Sequence, residues 1–80
     1  MDQVQAPEAP AQVDWTRWMP GISPSAPSRW RLIRFEHMDA AGRPLGEPLV
    51  SMTPQGAERL FPNVLRAEWA AAELNRLEGR

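Results

Sequence analysis

The sequence predicts an α+β fold: a small β-hairpin packed by one short and one longer C-terminal helix, preceded by an extended proline-rich N-terminal arm. Three observations predict it. Five of the nine prolines fall within residues 1–28, where they interrupt any continuous helix or central strand. The stretch RWRLIRFEHM, residues 29–38, mixes Trp, Ile and Phe with charge, as a half-buried pleated surface does. Residues 63–79 run from Asn63 to Gly79 across an apolar stripe of helical spacing. The chain therefore divides into an arm over 1–28 and a small α+β domain over 29–80.

Within the arm, MDQVQAPEAPAQ and SPSAPS read as extended linker. Between them lies DWTRWMPGI, residues 14–22, which holds two of the four tryptophans. Asp14 is suited to cap a single turn over 15–19 that Pro20 and Gly21 stop. Such a turn puts Trp15 and Trp18 on one face, with Met19 and Ile22 nearby. That patch either folds back over the chain's own core or docks into another protein, since Trp, Met and Arg are enriched at interface centres.

Residues 29–52 read as the hairpin. Trp30 and Leu32 share one face of its first strand and Ile33 and Phe35 the other. Either both faces are partly covered, or a bulge shifts the phase after Leu32. The loop DAAGRPLGEP supplies turn residues and LVSM the return strand. Thr53 and Pro54 read as a helix start, giving a short helix over 54–61 that Phe61-Pro62 ends. Asn63 caps the next helix, over 64 to about 77, with Val64, Ala67, Ala70, Ala71, Leu74 and Leu77 as its buried stripe. Trp69 lies well off that stripe, beside Leu65 and Ala72. It either flattens under Arg66 or Arg76 in a cation–π contact or marks a second apolar face in need of cover.

Eighty residues allow at most one small domain. A domain of this size hides only about 60% of the surface of its unfolded chain. With no Cys, disulfides and thiolate zinc sites are excluded, so a partner protein or homo-oligomerisation is the expected stabiliser. A formal net charge of −1 argues against bulk attraction to nucleic acid or anionic membrane, although all nine basic residues are Arg. No apolar run approaches the roughly 20 residues of a membrane span. MDQVQAPEAP lacks the basic and apolar regions of a secretion signal, so a cytoplasmic location is expected.

Catalysis is not expected. The chain offers one His and no Cys, Lys or Tyr. His37 lies near Glu36 and Asp39 but has no nucleophile beside it and reads as an exposed strand residue. No metal-ligand set and no phosphate-binding glycine loop is present, so no metal or cofactor is expected. Arg29, Arg31 and Arg34 in RWRLIR form the single candidate nucleic-acid surface, on a strand that the acidic Glu36, Asp39 and Glu47 follow. Pro24, Pro27 and Arg29 match the spacing of polyproline ligands, a pattern that arises often by chance in such segments.

The expected function is non-enzymatic docking on a larger protein or assembly through the Trp-containing arm, as an accessory or cement subunit. The expected partner-binding residues are Trp15, Arg17, Trp18, Met19, Ile22, Trp30 and Trp69. The alternative is a small inhibitor, such as a viral protein that blocks a host enzyme. A single-stranded nucleic-acid binder is the third reading.

Overall fold

A computed structural model describes residues 13–80. The linker expected over residues 1–12 lies outside the described residues. Five strands, β1 (Met19–Ser23), β2 (Ala26–Arg34), β3 (His37–Met38), β4 (Pro44–Leu45) and β5 (Leu49–Val50), precede one helix, α1 (Val64–Glu78). The main sheet is antiparallel with order β1-β2-β5, and β3 and β4 pair as a separate two-stranded ribbon. The α+β class holds.

The hairpin expected over 29–52 is present in the pairing of Ile33 with Val50 and Arg34 with Leu49. The β3–β4 ribbon forms its end, where Asp39 Oδ1 accepts the amides of Ala41 and Arg43. β2 is extended throughout, and both of its faces are partly covered, with no break after Leu32. The register irregularity lies instead on β1 and β2 at their turn, between Ile22 and Ser23.

Two expectations are corrected. Residues 19–28 are not an arm: Met19–Ser23 pair along β2 as an edge strand, joined to it through Pro24-Ser25. An edge strand tolerates Pro20 because its missing donor faces away from the ladder. The short helix over 54–61 is absent. In its place Thr53 and Ala57 close a tight turn, with the Thr53 amide on the Ala57 carbonyl and the Thr53 hydroxyl accepting the Ala57 amide. Gly56 adopts φ +88°, outside helical space. Tertiary bonds then fix the residues after this turn. Trp30 and Phe61 exchange both backbone hydrogen bonds, at 2.9 and 2.8 Å, which makes Phe61 a continuation of the strand that β5 begins.

The core is small. Leu32, Ala67 and Ala71 are its buried hydrophobic residues, and Trp18, Trp30, Phe61, Ala70 and Leu74 pack around them. The alanines let α1 approach β2 closely. Asn63 Oδ1 accepts the Arg66 amide, and Gly79, at φ 72°, closes the helix by donating to Arg76.

Asn75 joins the helix to the sheet edge. Its side chain is 5% exposed, accepts the Trp18 amide at 2.8 Å and donates to the Trp18 carbonyl at 3.1 Å. In β1, Pro20 and Ile22 stand opposite Leu32 and Trp30, whose own backbone groups bond to Ser51 and Phe61 on the other side. The alternation of an antiparallel ladder therefore turns Pro20 and Ile22 outward.

On the sheet face away from α1, Glu58 accepts the Ser23 hydroxyl at 2.8 Å and pairs with Arg31 at 2.8 Å. The Ser23 hydrogen bond, then the Arg31 guanidinium, holds the Glu58 carboxyl below its ordinary value. A depressed folded-state value means stabilisation that is complete above the unfolded value, about 4.3, and is lost as pH falls through the folded one. Glu58→Gln is therefore expected to lower the urea midpoint at neutral pH and to flatten its decline in acid. A midpoint that falls as steeply in the variant as in the parent would show that Glu58 does not carry this dependence.

Candidate docking face

The outward side of α1 carries the most exposed large hydrophobic side chains among the described residues. Successive residues advance about 100° around a helix, so the buried Ala67, Ala71 and Asn75 leave Leu65, Trp69, Ala72 and Arg76 on the opposite side. Trp69 is 79% exposed and Leu65, one turn before it, 73%. Among the described residues the cation–π pairs are Arg34 over Trp18, at 5.6 Å, and Arg59 over Phe61, at 5.5 Å. Trp69 is in neither, so no arginine screens it as one reading of the sequence expected.

Beside Trp69 runs a groove of about 370 Å³ lined by Phe61, Arg66, Trp69, Ala70 and Glu73. Phe61 is set there by its backbone pairing with Trp30, and Ala70 keeps the wall low because it ends at Cβ. Charge is arranged along the flank. Glu73 pairs with Arg76 one turn on, and the Arg76 guanidinium holds its carboxyl below the ordinary value. No acidic side chain of the described residues pairs with Arg66.

Of the other sequence-selected residues, Arg17, Trp18 and Met19 line a second groove of about 330 Å³ against Ala72 and Asn75 of α1, and the rest lie apart. Trp15 packs edge-on against Phe35, with ring centroids 6.0 Å apart at 83°. Its turn is shorter than the expected 15–19: the Arg17 amide returns to the Asp14 carbonyl and Asp14 Oδ1 accepts the Thr16 amide and hydroxyl, but Met19 already begins β1, so Trp15 and Trp18 part to different neighbours. Trp18 donates its indole N–H to Glu78 at 3.0 Å. Both tryptophans are half-buried, as the fold-back reading of the arm requires. Met19 and Trp30 are half-buried in β1 and β2, while Ile22 and Arg17 are exposed on the β1 side of the molecule. They do not come together with Trp69 as one patch.

Of the candidate nucleic-acid residues, Arg31 is engaged by Glu58 and Arg34 by Trp18, leaving Arg29 as the exposed one. Pro27 and Arg29 lie within β2, so the polyproline-like spacing is not displayed as a free helix. His37 is exposed on β3, and among the described residues no group of three or more His, Cys, Asp or Glu comes together. No described helix is long and apolar enough to cross a membrane.

Sequence reasoning missed Phe61 and Ala70 as parts of the groove. Phe61 reads locally as a helix end, and its role depends on a pairing with Trp30 that no local signal marks. No family model, curated protein or solved structure matches this chain.

Proposed function

We propose that this chain is a non-enzymatic, cytoplasmic protein-binding module, an accessory subunit that docks on a larger protein or assembly. The docking surface is the α1 face around Trp69, in place of the arm that the sequence favoured. The observation that carries this reading is the exposure of Trp69 beside Leu65, on a helix whose opposite side is already buried. Burying one Trp side chain removes about 150–250 Å² of surface. At about 25 cal/mol per Å², that is on the order of 4–6 kcal/mol before ordering costs. Trp15 and Trp18 support the reading differently. Their contacts with Phe35 and α1 fasten the N-terminal segment to the domain.

The test is capture of partners from the native source after nuclease treatment, comparing the full chain with Trp69→Ala and Arg29→Ala. Because Trp69 is so exposed, its replacement leaves the fold intact. The expected result is a protein partner retained by the parent and by Arg29→Ala and lost by Trp69→Ala. Retention by all three places the contact elsewhere and removes this face from the proposal. A fixed ratio to a multimeric structure marks an accessory subunit; one-to-one recovery with an enzyme of reduced activity marks an inhibitor.

A further inference from the structure

We infer that this face also takes a second copy of the chain, with the two α1 helices packed antiparallel about a two-fold axis near Trp69. The inference rests on the protein-binding reading above and adds self-association to it. A two-fold contact requires one surface to be complementary to itself. This face meets that requirement in shape, because it presents a projecting Trp69 and, directly beside it, the groove between Phe61 and Ala70.

It meets the requirement in charge as well. Arg66 and Glu73 are seven residues apart and fall on the same flank of α1, separated by only about 20° around its axis. In an antiparallel two-fold pair, each flank meets the same flank of the other copy with its direction reversed. Arg66 of one copy therefore comes opposite Glu73 of the other, and the pair forms twice. A parallel arrangement turns this flank toward the one that carries Glu68 and gives Arg66 and Glu73 no mutual contact. Arg66 has no acidic partner among the described residues of its own chain, so the pairing displaces nothing on its side.

The architecture leaves room for this. Each sheet lies behind its helix, so the copies meet helix to helix with the sheets outermost. The stabilisation is also of a kind this domain lacks, since the buried hydrophobic residues among those described are only Leu32, Ala67 and Ala71. Two tryptophans, with Leu65 and Phe61 from each copy, bring the buried area to on the order of 1,000 Å², the small and reversible end of specific interfaces. Such a dimer exchanges readily, and its face stays available to a larger assembly.

Sedimentation equilibrium on the full chain, from micromolar to millimolar concentration, tests this. The expected result is a reversible monomer–dimer equilibrium that Trp69→Ala weakens by about tenfold or more. Arg66→Glu and Glu73→Arg are each expected to weaken it. An equal mixture of those two variants is expected to recover dimer, because each copy then supplies the charge the other lacks. A chain that stays monomeric throughout overturns the inference, as does a dimer indifferent to Trp69→Ala or a mixture no better than its parts. A monomeric chain that still captures a protein through Trp69 loses this inference and keeps the protein-binding reading.

Discussion

Leu32→Ala is expected to lower the unfolding free energy by about 2–5 kcal/mol, the range for emptying a buried leucine site. Leu32 is 0% exposed, on the central strand, and clusters with the two buried alanines of α1. Collapse around the vacated space is limited, because Ala67 and Ala71 have no side-chain length with which to fill it. Native domains are stable by only about 5–15 kcal/mol, and one this small belongs near the lower end. The loss therefore takes a large share of the total. Urea unfolding followed by far-ultraviolet circular dichroism reads it directly, with Leu32→Met as the volume-conserving control, expected to cost less than about 1.5 kcal/mol. If Leu32→Ala shifts the midpoint no further than Leu32→Met, the core is not organised around this residue.

Asn75→Ala is the second large effect, and it arises from polarity rather than volume. The carboxamide answers both backbone polar groups of Trp18, and its removal strands an amide and a carbonyl against the helix. Each unsatisfied buried group costs about 1–3 kcal/mol, so a loss of about 2–4 kcal/mol is expected. Asn75→Asp does not rescue it, because a carboxylate keeps the acceptor, loses the donor and brings a charge into a buried position. Amide hydrogen exchange localises the effect: the Trp18 amide is expected to exchange slowly in the parent and rapidly in Asn75→Ala. An amide equally protected in both would mean that something other than Asn75 holds that strand.

What the sequence made legible was what local chemistry decides. Asn63 and Gly79 mark the ends of α1 because capping needs only a side-chain acceptor at one end and left-handed backbone at the other. The stripe through Ala67, Ala71 and Leu74 faces the sheet, although Leu77 and Val64 at its ends are exposed. The mixing of Trp, Leu and Ile with Arg in RWRLIR announced β2, although its alternation is imperfect. What stayed hidden depends on distant partners. DWTRWMPGI carries a turn signal and a proline, and nothing within it states that Asn75 and Phe35 lie waiting. Thr53 and Pro54 carry a sound helix-start signal that loses to bonds made by Glu58 and Phe61 with β1 and β2. As for the candidate face, the position of Trp69 off the buried stripe was visible in the helical period alone. The groove beside it was not, because Phe61 reaches it through the sheet.

The free edge of β1 has a consequence for what assemblies this chain can make. Of the three residues that look outward there, Trp18 has both backbone groups taken by Asn75, Pro20 has no N–H to offer, and Ile22 alone keeps a complete pair. One residue is too short a template for another strand to extend. Edge-to-edge stacking, in which each added molecule exposes a fresh copy of the same edge, is thereby interrupted at its first step. Growth without limit is closed off along β1.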